Sequence, residues 1–346
     1  MTMEDRLVPV NTGTRFTQYQ SSHPTAARNN MSEAHALPHL SRNTDQGLLA
    51  VGFKQEQIDR VKHKKNLSRF RTNYCSHPRV YAHLFERLQT TDIEEAQLDC
   101  SALGLEKTLN YFFAAIYLLA RYPTEEQVES TFSISGRTFR KYAWSIVGKI
   151  SALFPEIVVW PDWWGNPNNP EGGETKFILT VDGTHCRIDE PTLGSFAEQR
   201  KYYSHKFRSA GLDYEVALSI YESKCVWVAG PYPAGKHDIT IFRKKLKNKM
   251  VASGEANGKE YRGIGDRGYR GESSLLSVPS SQDSSEVRDF KGRAMSRQET
   301  FNSRLKHYDC LDVRFRHGIE THALAFYACV VLVQLQMENG FPLFQV

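Results

Sequence analysis

The sequence lacks a hydrophobic stretch long enough to cross a lipid bilayer. Its longest apolar run is the eleven residues Ala323–Val333, whereas a membrane-spanning helix needs about twenty residues. The N-terminus also lacks the short apolar segment of a secretory signal peptide. These absences disfavour a membrane or secreted protein, and we expect the apolar run to form a buried core helix.

Closely spaced cysteines are missing as well. The six cysteines are scattered along the chain without a C-x-x-C pair. Disulfide frameworks and structural zinc sites both depend on recurrent cysteine spacing. The pattern therefore favours free thiols in a reducing compartment and disfavours structural zinc.

A strong overall charge is also absent, since the formal net charge is only +5. The basic excess is concentrated between Lys54 and Arg71, where seven basic residues accompany two acidic ones. Such a run is commonly the solvated face of a helix. Contact with phosphates or nuclear import is the alternative that the sequence leaves open.

The 346 residues are enough for about two domains. Residues 1–48 are rich in Ser, Thr, Asn, Gln and His, which predicts a disordered tail. A basic helical segment follows over 49–98, then a helical region over 99–160 and a catalytic region over 161–346. Residues 155–174 read as a linker in which Trp160, Trp163 and Trp164 act as packing anchors.

Two short helices joined by a glycine turn are predicted within the second helical region. Thr124 and Gln127 have the spacing of a capping box before the helix Glu125–Phe132. Ser135 can cap a second helix that runs from 137 to about 153. This is the helix-turn-helix pattern, which meets DNA through the N-terminal part of its second helix. Plain helix packing is the alternative explanation of the pattern. On the DNA-binding interpretation, the outward-facing cations are Arg137, Arg140 and Lys141.

Three carboxylates stand in contexts that favour a metal site. Phe177–Val181 reads as a buried strand that ends at Asp182, and the strand Tyr261–Gly265 ends at Asp266. Glu299 lies on a predicted helix. A lone Asp at a strand end is usually a turn or cap residue, but two of them with a helical Glu suit hard cations such as Mg²⁺. Two such ions can activate a water and stabilise the leaving oxygen of a phosphodiester.

Four motifs in order resemble the DDE transposases of the PIF/Harbinger superfamily and the nucleases derived from them. They are VDGTH, GKHD before an apolar helix, GDRGY and RQETFNSRLK. Asp266 lies 84 positions after Asp182, and Glu299 lies 33 positions after Asp266, which resembles the spacing in that superfamily. Arg267 departs from the residues usual there.

The resemblance implies an α/β architecture, with a ribonuclease H-like catalytic domain preceded by the all-α helix-turn-helix region. The expected catalytic domain has a mixed five-stranded sheet with flanking helices. Asp182, Asp266 and Glu299 would be its catalytic and metal-binding triad, for Mg²⁺ with Mn²⁺ able to substitute. Arg304 and Lys306 would contact DNA phosphate. His237 and Asp238 are accessory candidates, although Asp238 could simply cap a helix over 239–250.

The remaining elements are predicted from local pattern. Cys186–Ile188 reads as a hairpin partner of the first strand, and Tyr214–Ile220 and Lys224–Ala229 read as strands. The serine-rich residues 272–292 read as a mobile loop, and the last helix is expected from Ile319 to Met337.

The function implied is a nuclear transposase that cuts double-stranded DNA at terminal inverted repeats. The resemblance also implies a homodimer or larger oligomer and a Myb-like accessory DNA-binding protein. One alternative is a domesticated protein that binds DNA or a partner without transposition. Another is a ribonuclease H-like enzyme acting on RNA or hybrids, which the candidate helix-turn-helix disfavours.

Overall fold

Helices alone build the first part of the chain that the structure describes. The computed structural model describes residues 44–162, 176–192, 195–257 and 261–346. Residues 44–50 are helical and bury Leu48, so this short part of the predicted tail is structured, and the rest of the tail lies outside the described residues. The helices that follow are α1 (Gln55–Asp59), α2 (His63–Tyr74), α3 (Pro78–Thr90), α4 (Leu105–Arg121), α5 (Glu125–Phe132), α6 (Gly136–Ala152) and α7 (Phe154–Ile157).

Local sequence explains the boundaries of the α5–α6 pair. The Thr124 side chain accepts a hydrogen bond from the Gln127 N–H, and the Gln127 side chain accepts one from the Thr124 N–H, which completes the predicted capping box. Ser133 ends α5 in the left-handed conformation, at φ 53°. The Ser135 side chain then caps α6 by accepting from the Thr138 N–H. Both helices therefore lie where the sequence predicts them, while their contact with DNA remains a prediction.

A mixed sheet forms the second part. In the described residues it has six strands in the order β2-β3-β1-β5-β6, with β4 also paired to β3. The β1–β3 and β3–β4 pairs are antiparallel, and β1–β5 and β5–β6 are parallel. The strands are β1 (Lys176–Arg187), β2 (Tyr203–Ser204), β3 (Ser209–Ser219), β4 (Cys225–Pro233), β5 (Tyr261–Gly265) and β6 (Leu276–Ser277).

The sheet corrects three predictions. Within the described residues it has six strands rather than five, because one predicted strand is part of β1 and the two-residue strands β2 and β6 are too short to recognise from sequence pattern. Cys186 and Arg187 belong to β1 itself, since that strand continues past Asp182 and stays paired with β3 as far as Arg187. The predicted loop 272–292 contains β6 and the start of a long helix.

Helices cover the sheet. They are α8 (Phe196–Arg200), α9 (Asp238–Lys244), α10 (Leu246–Asn257), α11 (Ser285–Lys306), α12 (Asp309–Asp312) and α13 (Ile319–Glu338). The single helix predicted over 239–250 is in fact α9 and α10, because Lys245 leaves the helical conformation at φ −140°. Trp160 packs edge-on against Trp227 at 6.3 Å between ring centroids. Trp163 and Trp164 lie outside the described residues.

The C-terminal helix α13 lies at the centre of the main core. Among the described helices it alone has the length and hydropathy of a membrane span, but 61% of its most apolar window is buried inside the protein. Its buried polar side chains contact the sheet: Gln334 accepts from the Cys225 N–H at 2.8 Å, and His322 bonds the Tyr214 hydroxyl at 2.8 Å. The apolar run is therefore a core helix, as predicted.

One hydrophobic core joins the N-terminal helices to the sheet. It includes side chains of α4, α6, β3 and α13. Tyr122, at the end of α4, stacks on Phe315, with their centroids 5.1 Å apart. The helical region and the sheet therefore share buried surface across the boundary predicted at residue 160.

Candidate active site and metal centre

Two carboxylates lie side by side where the parallel strands β1 and β5 meet. The register pairs Val181 with Gly265, so Asp182 is the next residue of β1 and Asp266 is the first residue after β5. Parallel strands present their carboxyl ends at the same edge of a sheet. The charge on Asp266 raises the pKa of Asp182, which places the two groups within electrostatic reach of each other. Asp182 and Asp266 therefore lie next to each other, as the sequence predicts.

Helix α11 is held against β1 by polar side chains. Asn302 Nδ2 donates to Asp182 Oδ2 at 2.9 Å. One turn earlier, Gln298 Oε1 accepts a hydrogen bond from Thr180 Oγ1 at 2.7 Å. These bonds fix the face of α11 that meets the site, and sequence reasoning missed Asn302 although it lies in the RQETFNSRLK motif.

Glu299 lies on the same side of α11 as Asn302, three residues earlier, which is a neighbouring position on a helix. Its side chain is exposed and forms no hydrogen bond or ion pair with another described residue. Its place as the third member of the triad stays a prediction.

Burial and a neighbouring negative charge raise the pKa of Asp182 above the usual value for an aspartate. Removal from water, followed by the charge on Asp266, raises its pKa to about 7. The Gly183 N–H, which donates to Oδ1 at 2.9 Å, and the positive charge of Lys206 act in the opposite direction. A carboxylate in this environment gains more from a bound cation than an exposed one does.

A second polar group lies on the opposite face of β1. His185 and Asp213 are directly opposed in the β1–β3 register, and Asp238 approaches them from the first turn of α9. One ligand atom from each of the three residues lies within 4.8 Å of the others. Sequence reasoning missed His185 and Asp213 as site residues, although His185 is in the VDGTH motif.

Asp238 connects this group with Asp266. A methyl group at Gly268 would overlap Asp238 Oδ2 and stand 3.0 Å from Asp266 Oδ1. A methyl group at Gly183 would lie 3.1 Å from Asp238 Oδ1 and 3.2 Å from Asp213 Oδ1. The two motif glycines are therefore required so that the carboxylates can approach the backbone and each other.

The helix-cap interpretation of Asp238 is wrong. His237, which is exposed, is the N-cap residue of α9, and Asp238 is the first helical residue. The His237 side chain makes no capping hydrogen bond. Burial, then the charge on Asp266, raises the pKa of Asp238. The residue faces other carboxylates, as an accessory metal ligand would.

Asp213 is fully buried, and neither of its side-chain oxygens has a hydrogen-bond partner among the described residues. Burial and the charges on Asp238 and Asp182 raise its pKa to about 7, despite the Tyr214 N–H, which lies near the carboxylate without forming a bond to it. The neighbouring Glu215 has a pKa of about 8 because of burial, and it accepts from Trp227 Nε1 at 3.1 Å.

The two basic side chains predicted to contact phosphate form hydrogen bonds within the protein instead. Arg304 donates to the backbone oxygens of Phe341 and Pro342. Lys306 Nζ donates to the carbonyls of His185 and Leu311, at 2.5 and 2.6 Å. Because these donors are used in intramolecular hydrogen bonds, the structure disfavours Arg304 and Lys306 as phosphate ligands. Lys206, exposed in the turn between β2 and β3, is instead the cation that acts on both Asp182 and Asp213.

The cations of the helix pair lie on the surface. Arg137, Arg140 and Lys141 are all exposed on the N-terminal half of α6. Arg140 forms an ion pair with Glu125 of α5, and the Lys141 ammonium lies 5.3 Å from the centroid of the Tyr142 ring.

Most of the sheet, the paired aspartates and α11 lie in a segment that a sequence comparison matches to a known family. Residues 181–334 match the family model of the DDE superfamily endonucleases. The match covers β1 from Val181 through most of α13, and so contains both groups of polar residues. Comparisons with curated proteins and with solved structures found no match. The endonuclease match supports a DDE transposase-like nuclease and leaves its subtype open.

The residues present fit a divalent metal. Asp182, Asp213, Asp238 and Asp266 provide carboxylate oxygens, the ligands that hard cations prefer. Among the described residues the buried Asp213 oxygens have no hydrogen-bond donor, and an ionised carboxylate without a partner is costly to bury. A cation would supply that partner.

Proposed function

We propose that this protein is a metal-dependent DNA endonuclease and strand-transfer enzyme of the Harbinger type, which cuts at transposon ends. The observation that carries the proposal is the adjacency of Asp182, in β1, and Asp266, directly after the parallel strand β5, within the matched segment. Helix α11 is fastened against β1 by the bond from Asn302 to Asp182, and Glu299, three residues before Asn302, is the proposed third member of the triad.

Asp182, Asp266 and Glu299 would hold Mg²⁺ or Mn²⁺. When bound, such ions supply an activated water and stabilise the leaving oxygen of a phosphodiester. The protein's own contribution is to keep Asp182 oriented through Asn302 and to hold the carboxylates close despite their repulsion. Lys206 provides positive charge beside the site, where a phosphate would approach.

Double-stranded DNA at the terminal inverted repeats is the proposed substrate. The exposed cations of α6 would contact its backbone outside the catalytic site. A homodimer or larger oligomer, a Myb-like accessory protein and a nuclear location belong to the same proposal. They rest on the resemblance of the motifs to the Harbinger superfamily.

The test is a cleavage assay with the full chain and duplex DNA that carries the sequence flanking its own gene. With Mg²⁺ or Mn²⁺ we expect nicked products with 3′-hydroxyl ends, and none in EDTA. A matched RNA–DNA hybrid is the control substrate. If the protein binds duplex DNA but does not cleave it with either metal, the enzyme proposal fails and the domesticated DNA-binding protein takes its place. Cleavage of the hybrid alone would favour the ribonuclease alternative.

A further inference from the structure

We infer that His185, Asp213 and Asp238 form a metal position of their own, which binds a first-row transition-metal ion such as Mn²⁺ more tightly than Mg²⁺. This position is separate from the one proposed for Asp182, Asp266 and Glu299. Metal binding at this position can be measured without DNA, so its test does not depend on the proposed nuclease activity.

The ligand atoms are already close to coordination distance. One atom from each residue lies within 4.8 Å of the others. Ligands about 2.0–2.2 Å from a metal ion lie at most about 4.4 Å apart, so closure of a few tenths of an ångström would complete the site. Each ligand is carried on a regular element, namely β1, β3 and α9, which fixes the backbone beneath it.

The His185 ring is oriented as a metal ligand would be. Its Nδ1 lies 3.2 Å from the buried Ser204 Oγ, and its Nε2 points towards Asp213 Oδ1 at 3.7 Å. Metal-ligating histidines usually hold one ring nitrogen by a hydrogen bond and present the other to the ion. At 3.7 Å the pair His185–Asp213 is too long for a hydrogen bond, so the ring and the carboxylate face each other across a gap.

Asp213 provides the independent reason to expect a ligand. Its side chain is completely buried, aims at this group, and has no hydrogen-bond donor for either oxygen among the described residues. Gly183 leaves open the space between Asp213 and Asp238, since a side chain at that position would stand 3.1 to 3.2 Å from an oxygen of each. The backbone is therefore shaped around these oxygens.

The donor set selects the class of metal. Mg²⁺ prefers oxygen ligands and keeps much of its water. An imidazole nitrogen suits first-row transition metals, while carboxylates suit Mn²⁺. A site with one nitrogen and two carboxylates should therefore retain Mn²⁺ when Mg²⁺ is in excess.

The experiment uses the full chain stripped with EDTA and then loaded with Mn²⁺ in a large excess of Mg²⁺. Pulsed electron paramagnetic resonance should show ¹⁴N coupling from one histidine. We expect His185→Gln to remove the coupling and Asp213→Asn to weaken Mn²⁺ binding at least tenfold. The coupling should persist in Asp266→Asn, whose residue belongs to the other position.

His237→Gln and Asp189→Asn are the matched controls. His237 is the exposed histidine beside Asp238, and Asp189 is an exposed aspartate just past β1. Both variants should retain the coupling and the affinity. Loss of the coupling in His237→Gln, or unchanged coupling and affinity in His185→Gln, would overturn the inference. If Asp213→Asn does not fold, as judged by circular dichroism, the half-buried His185→Gln decides alone.

Discussion

At the scale of single residues, Asp266 and Asp238 are close neighbours to which we assign different roles. We expect Asp266→Asn to abolish cleavage while leaving DNA binding within about twofold of the wild type. The substitution keeps the shape of the side chain but removes a formal charge that Mg²⁺ needs to give up water. Cleavage rates and equilibrium binding on the same duplex measure both effects.

Asp238→Asn distinguishes a metal ligand from a helix cap. Asn caps a helix about as well as Asp, but Asp238 makes no capping bond and faces other carboxylates. Its substitution should therefore slow cleavage. The control is Asp289→Asn, which changes an exposed residue of α11 and should keep full activity. Normal cleavage by Asp266→Asn would show that the second carboxylate has been misassigned.

The raised pKa values of Asp182 and Asp213 predict a metal-free protein that loses stability as the pH rises. Both carboxyl groups have a pKa of about 7 in the folded state, above about 3.9 in an unfolded chain. Their protonated forms therefore stabilise the fold fully only below about pH 4, and this contribution is lost progressively from there until the pH has passed 7. Thermal melting in EDTA should show a falling midpoint between pH 6.5 and 8.

Other groups have to be separated from this effect. Burial lowers the pKa of His185 to about 4, so its contribution grows between pH 4 and about 6.5 and is constant above that range. Glu215, with a pKa of about 8, adds a further loss at the upper end. In Asp213→Asn the decline between pH 6.5 and 8 should be shallower than in the wild type, and an equal slope would contradict the assignment.

At the scale of elements, α6 is the helix whose role in DNA binding can be measured. Replacing Arg137, Arg140 and Lys141 with Ala should weaken binding and reduce its salt dependence by about one unit of slope per lost phosphate contact. Because Arg140 already pairs with Glu125, we expect a reduction of about two units rather than three. Titrations at several salt concentrations give the slope.

Lys107→Ala on α4 is the control, since this lysine is exposed on a different helix. It should leave the slope unchanged. If the triple variant also binds with unchanged affinity and slope, the α5–α6 pair serves only in packing.

At the scale of the whole molecule, the basic segment 54–71 cannot be removed to test its role. It contains Phe70, which is fully buried and packs edge-on against Phe113 of α4. Arg69 and Arg71 lie over the rings of Phe53 and Phe341. Deletion would therefore damage the core, and substitution of surface lysines is the cleaner experiment.

Lys62, Lys64 and Lys65 are exposed and suit that experiment. Replacing all three with Gln should lower affinity for every duplex by a similar factor, because phosphate contacts carry no sequence information. Competition between specific and unrelated DNA measures the ratio. A loss confined to one sequence would instead indicate direct contact with bases.

The sequence by itself determined the local elements and the first pair of carboxylates. The capping box placed α5 at Glu125–Phe132, and β5 appears at Tyr261–Gly265 as predicted. Capping, turns and apolar period depend on residues a few positions apart, so they can be read directly from the chain. The motifs around Asp182 and Asp266 could be recognised for the same reason.

Only the tertiary structure decided which side chains share the site. His185 meets Asp213 because the antiparallel register of β1 and β3 opposes residues 28 positions apart, and that register is set by packing over whole strands. The same packing turns Lys306 towards backbone carbonyls and leaves Lys206 beside the acids. Asp238 joins the two groups because α9 lies across the sheet close to Gly183 and Gly268, and no local pattern in the sequence carries that information.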